Sequence, residues 1–172
     1  MIDLTEFESI SPYTDEQASE ALGKLADYPA VAQASRYFFP EESPDFLKNV
    51  LKQIKTIDQF QVLVMQRFVR WVLEHTAKNF SYDGISNIDT SKKFLALSNH
   101  RDIIMDPAIT QLVLHTNGIP MTEIAVGDNL ITNEAIEYLI RSNRMIKVVR
   151  GISARELYLS SQLLSKYIRL NI

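Results

Sequence analysis

Apolar residues in the first half of the chain recur at helical spacing. Between Asp15 and Asp27 they set Ala18, Leu22 and Leu25 on one side, the pattern of a helix that packs along one face. Pro29 suits the first position of a second helix, which runs toward Phe39 and ends at Pro40, since proline lacks the N–H that a helix interior requires. Ser43-Pro44 repeats the device with Ser43 as N-cap. Thr56 and Gln59 have capping-box spacing, and the helix they open is expected to reach Lys78. Its apolar stripe is Ile57, Phe60, Val64, Phe68, Trp71, Val72 and His75. Core packing is the simpler reading of that stripe; a surface for a membrane or an acyl chain is the alternative.

Near Asn79 the pattern changes. Asp83-Gly84, Ser86-Asn87 and Asp89-Thr90-Ser91 are turn chemistry. Short apolar runs of strand length then alternate with helical segments. Phe94–Leu97, Glu123–Val126 and Met145–Val149 read as strands. A helix from Asp106-Pro107 to Asn117-Gly118 separates the first two, and one from Thr132 to Asn143 separates the second pair. Ser153 caps a last helix from Ala154 to the end. The alternation predicts an α/β fold with mainly parallel strands. The expected organisation is a helical subdomain over residues 1–79, followed by a partial α/β sheet over 80–172. The last helix has no terminal cap signal, and the second part is expected to be truncated at its C-terminus.

Composition narrows the function. There is no cysteine among the 172 residues, so disulfides, thiolate–zinc sites and a cysteine acyl-enzyme are excluded. Eighteen basic side chains stand against 21 acidic ones, a net charge of −3 with no basic block. That balance does not suit a nucleic-acid binder. The N-terminus Met1-Ile2-Asp3-Leu4-Thr5-Glu6 lacks the basic and apolar regions of a secretory signal, and no run of about 18 apolar residues spans a bilayer. A cytoplasmic setting is expected, with peripheral contact at the inner membrane face as the membrane option.

Candidate chemistry gathers in Ser98-Asn99-His100-Arg101-Asp102-Ile103-Ile104-Met105-Asp106, directly after the first expected strand. Ligands in open α/β sheets bind at the carboxyl ends of strands. A neutral imidazole at His100 can take a proton from a hydroxyl, and a carboxylate from Asp106 or Asp102 can orient it. Plainer roles exist for each residue. Asp106 before Pro107 is a good N-cap, Asp102 a good turn residue, and Arg101 a partner for a nearby acid. His-Arg-Asp also begins the protein-kinase catalytic loop, but Pro107 stands where that loop needs asparagine, and no glycine-rich loop accompanies it. Ser98 lacks the Gly-x-Ser-x-Gly elbow of a serine hydrolase. One histidine and two carboxylates are a weak metal signal, and no metal is expected. His115, near a helix end, reads as a surface residue.

Asn99-His100 after an apolar run, with Arg101 beside it and a carboxylate about a turn later, resembles the first motif of the lysophospholipid and glycerol-phosphate acyltransferase family. Tyr82-Asp83-Gly84-Ile85-Ser86-Asn87 is similar to the segment that precedes that family's first strand. Arg144-Met145-Ile146-Lys147-Val148-Val149-Arg150 is similar to its second motif. The resemblance covers about Tyr82 to Gly151. The family's carboxylate falls five residues after the histidine, where this chain has Met105; Asp106 comes one later. The third and fourth motifs would fall beyond Ile172, so the 172-residue chain alone is expected to be inactive. The resemblance implies transfer of a fatty acyl group from a thioester donor, acyl-CoA or acyl-carrier protein, to a hydroxyl of a glycerol-phosphate or lysophospholipid acceptor. No other cofactor is implied. His100 would be the general base, with Asp106 or Asp102 as its partner. Arg101, Arg150 and Asn99 would bind substrate, and the helix start near Pro107 would offer N–H groups to the oxyanion. The alternative is a lipid-binding or membrane-docking module that keeps the fold without the chemistry.

Overall fold

The computed structural model describes residues 4–150 and 153–172. Gly151, the far end of the resemblance, lies outside the described residues, as do Met1, Ile2 and Asp3. The helices are α1 (Asp15–Leu25), α2 (Pro29–Phe38), α3 (Phe46–Gln53), α4 (Ile57–Phe60), α5 (Gln66–Thr76), α6 (Met105–Thr116), α7 (Glu134–Arg141) and α8 (Ala154–Asn171). Two parallel strands, β1 (Ile124–Gly127) and β2 (Met145–Val148), pair with Ile124 opposite Met145 and Gly127 opposite Val148. The architecture is mixed α/β.

Local chemistry explains most helix starts. Pro29 occupies the first turn of α2. Ser153 and Glu156 close a reciprocal capping box at α8: the Ser153 hydroxyl accepts the Glu156 N–H at 3.2 Å, and Glu156 accepts the Ser153 N–H at 2.9 Å. At α4 the expected box is displaced by one residue. Thr56 accepts the Gln59 N–H at 3.1 Å, but the Gln59 side chain accepts from the N–H of Lys55. Ser43 is not a cap either, because a turn through residues 43–45 delays α3 to Phe46.

The expected long helix over 56–78 is broken in phase. A π-helical segment, Gln61–Met65, joins α4 to α5. The wider turn adds a residue and rotates the buried face. Ile57, Phe60 and Val64 are buried as expected, whereas beyond the π segment Val69 and Gln66 turn inward and His75 is exposed.

The larger apolar core joins Leu22 and Leu25 of α1, Leu51 of α3 and Phe60 of α4 with Tyr138 of α7. The second half of the chain therefore contributes to the helical core. A smaller cluster joins Phe7 and Ile10, from the N-terminal segment, to Ile146 of β2 and Tyr167 of α8. There the Lys147 N–H donates to the Ile10 carbonyl at 2.8 Å. Arg141 donates to the carbonyls of Ser11 at 3.0 Å and Glu8 at 2.7 Å. The start of the chain is thus laced onto α7 and β2.

The expected strand Phe94–Leu97 is a correction. Among the described residues it pairs with nothing, and Phe94, Leu95 and Leu97 are exposed, Leu97 by 87%. A strand exists only where an edge accepts its N–H and C=O groups, and four apolar residues in a row do not supply that edge.

Candidate functional site

The turn before α6 is built by its two carboxylates. Asp102 Oδ1 accepts the N–H groups of Ile104 and Met105, each at 2.8 Å. Asp106 Oδ2 reaches back to the N–H groups of Arg101 at 2.6 Å and Asp102 at 3.0 Å. The two acids thereby satisfy four backbone donors around the start of the helix. Those bonds favour the charged form. The N–H groups of Met105 and Ile104 hold the Asp102 carboxyl below its ordinary range, and those of Asp102 and Arg101 do the same for Asp106.

His100 lies exposed on this turn, and among the described residues it makes no hydrogen bond or ion pair. Neither Asp106 nor Asp102 bonds to its ring. Its charged form attracts Asp102, as does that of Arg101, and these attractions are weaker than the backbone bonds that hold the same carboxylate. Asn99 and Arg101 are exposed beside it. The expected oxyanion donors are spent: the N–H groups of Ile104 and Met105 go to Asp102, those of Asp106 and Ala108 go to the carbonyls of Asp102 and Ile104, and Pro107 has none. The start of α6 is capped from within.

Arg150 stands elsewhere, just past β2. Its N–H donates to Asp128 Oδ1 at 3.1 Å, which ties the turn after β2 to the turn after β1. Its guanidinium reaches over Gly127: a Cβ on that glycine would lie 3.1 Å from Arg150 Nε and 2.5 Å from Asn129 Oδ1. Among the described residues the Arg150 side chain has no carboxylate partner, whereas Arg141 pairs with Glu137 and Arg144 with Asp58. Gly127 and Asn129 were not singled out by the sequence as part of a site. The available signal was Gly127-Asp128 closing an apolar run, which reads simply as a turn. No hydrogen bond or ion pair among the described residues joins the His100 turn to the Arg150 turn.

Two surface grooves lie away from both turns. One, of about 400 Å³, includes Phe38, Arg67, Trp71 and His75, with the His75 ring stacked on Trp71 at 4.2 Å. The other, of about 260 Å³, lies between α5 and α6 and includes Leu73, Tyr82 and Leu112. Among the described residues no three His, Asp or Glu side chains cluster as a metal site, and no helix is long and apolar enough to cross a membrane. Comparison with protein-family models, curated protein sequences and solved structures gives no match to this chain.

Proposed function

We propose that the chain serves acyl transfer from a thioester, acyl-CoA or acyl-carrier protein, to a hydroxyl of a phosphorylated glycerol or lysolipid acceptor. The observation that carries this reading is an exposed imidazole, without a hydrogen bond or ion pair among the described residues, on a turn whose two carboxylates bind four of its backbone N–H groups. His100 is open to an acceptor hydroxyl while Asp102 and Asp106 hold its loop. In the proposed step His100 takes the hydroxyl proton as the oxygen attacks the thioester carbonyl. The C–S bond then breaks, and the imidazolium returns the proton to the departing thiolate. Asp102 steadies the imidazolium by charge, without a bond. Arg150 binds the acceptor's phosphate, for which a guanidinium fork is suited; Arg101 and Asn99 line the approach to His100.

The test is acyl transfer from a long-chain thioester to glycerol 3-phosphate by the full-length protein and its His100→Ala variant. A drop of about 10²–10⁴ is expected, the usual worth of a general base. Unchanged turnover in the variant would sink the mechanism.

A lipid-docking module without chemistry is the second reading. It is favoured by Leu95, Leu97, Ile103 and Ile104, all exposed on either side of His100. Sedimentation with phospholipid vesicles, retained in His100→Ala and lost when Leu97 and Ile104 are both changed to Ser, is its expected signature.

A further inference from the structure

We infer that Gly127 and Asn129 complete the phosphate end of the proposed site, Asn129 as a second group on the phosphate and Gly127 as the positioning residue for Arg150. The inference rests on the reading of Arg150 as the acceptor's phosphate ligand, and goes on to say what holds it there.

Gly127 has φ −67° and ψ 136°, an extended conformation open to any residue. Its backbone therefore gives no reason for glycine. Space does. A Cβ there would meet Asn129 Oδ1 at 2.5 Å, Arg150 Nε at 3.1 Å and Arg150 Cζ at 3.6 Å. The first is a collision and the second closer than ordinary contact, so a side chain at 127 must move the exposed, flexible ends of Asn129 or Arg150, a shift that costs the fold little and displaces the two groups of the proposed site. The absent methyl is the seat of the guanidinium.

The seat is anchored to the sheet. Gly127 pairs opposite Val148 in the parallel ladder, and the bond from the Arg150 N–H to Asp128 Oδ1 fixes the two turns to each other. Crevices outside the carboxyl ends of parallel strands are where α/β sheets bind ligands. Here the carboxyl ends of β1 and β2 present an exposed guanidinium and an exposed primary amide, neither with a side-chain hydrogen bond or ion pair among the described residues. Five fixed N–H donors and an NH₂ group match the oxygens of a phosphate monoester. Asp128 is the one acid in the turn. Its carboxylate accepts the Arg150 N–H.

The experiment follows backbone amide resonances during titration with glycerol 3-phosphate, with glycerol and inorganic phosphate as comparison probes. Shifts at Gly127, Asp128 and Asn129 are expected with both phosphates and not with glycerol. Arg150→Gln should weaken binding by roughly tenfold or more, the scale of a charge-assisted hydrogen bond, and Asn129→Ala by a smaller factor. Gly127→Ala should weaken it about as much as Arg150→Gln. The double variant should lose no more than either single one, because both changes remove the same contact. Intact β2 amide signals separate this from unfolding.

Additive losses in the double variant, or unaltered affinity in Gly127→Ala, would overturn the positioning role. Unaltered affinity in Asn129→Ala would overturn the second-group role. Failure of Arg150→Gln to weaken binding would instead bring down the underlying phosphate assignment. Phosphate-dependent shifts at Gly127, Asp128 and Asn129 in a protein that shows no acyl transfer would bring down the catalytic reading alone and leave this inference standing.

Discussion

The two turns that carry candidate chemistry differ in what holds them. The turn at Gly127–Asn129 leaves the end of a hydrogen-bonded strand, and the ladder with β2 plus the Arg150–Asp128 bond fixes its shape. Among the described residues the Arg150 guanidinium has no hydrogen-bond or ion-pair partner. The turn at Asn99–Asp106 leaves an exposed segment that pairs with no strand among the described residues. Its shape comes from within, and both of its carboxylates are spent on backbone N–H groups. The turn supported by a sheet spends one carboxylate, Asp128, on one backbone N–H; the turn without a sheet spends two, Asp102 and Asp106, on four.

That contrast is most sharply tested by removing apolar bulk from the two segments that precede the turns. Ile146 of β2 is buried against Phe7, Ile10 and Tyr167. Ile146→Ala is expected to cost about 2–5 kcal/mol, the usual range for emptying a core site. Leu97, 87% exposed, should change stability by no more than about 0.5 kcal/mol on substitution by Ala. Urea unfolding of the two variants measures both. A large loss from Leu97→Ala would mean that the 94–97 segment is packed, and the contrast would collapse.

The parts of this arrangement legible in the sequence are those decided by near neighbours. Pro29 and the Ser153–Glu156 box each start a helix with groups a turn apart. The expected strands Glu123–Val126 and Met145–Val149 are found within one residue of their bounds, as short apolar runs on either side of one helix. Phe94–Leu97 had the same local look, but strand pairing is decided by a distant edge that four residues do not encode. The π segment at 61–65 was hidden because one added residue shifts the helical phase without changing composition. At the candidate site, the exposure of His100 followed from its place on a turn. The carboxylates' commitments were legible in kind, Asp102 as a turn residue and Asp106 as a group holding the helix start, although Asp106 reaches back from within the first turn of α6 rather than from the position before it. The crowding over Gly127 was hidden because one of the side chains that cause it, Arg150, lies 23 positions away.

Entry to β2 offers a finer probe of how the sheet-supported turn is fixed. Arg144 has φ 56°, a left-handed conformation that costs a residue with a Cβ roughly 1–2 kcal/mol. Its side chain offsets this by donating to buried Gln61 at 2.9 Å and to Asp58 at 2.6 Å, while its carbonyl accepts the Ile124 N–H at 3.0 Å. Arg144→Ala keeps the strain and loses the bonds. Arg144→Gly loses the bonds and relieves the strain. Gly is therefore expected to be the more stable of the two by about 1 kcal/mol, read from their urea midpoints. Equal midpoints would mean that the left-handed turn is not what Arg144 sustains.

The smallest expected effect belongs to the self-supported turn, and its sign follows from the carboxylates. Backbone N–H groups lower both carboxyls in the folded chain, those of Met105 and Ile104 at Asp102, and those of Asp102 and Arg101 at Asp106. A depressed folded-state value makes a contribution that is fully present above the unfolded carboxylate value of about 4 and is lost as pH falls through the lower folded values. Exchange protection of the Ile104 and Met105 amides, corrected for intrinsic rates, should therefore stay level from about pH 7 to pH 5 and fall only below about pH 4. Asp102→Asn should remove that acid step at Ile104 and Met105 while leaving the Gly127 and Val148 amides unchanged. A step centred near pH 6 would place control of the turn in His100 instead, and the imidazole would no longer be free for a substrate.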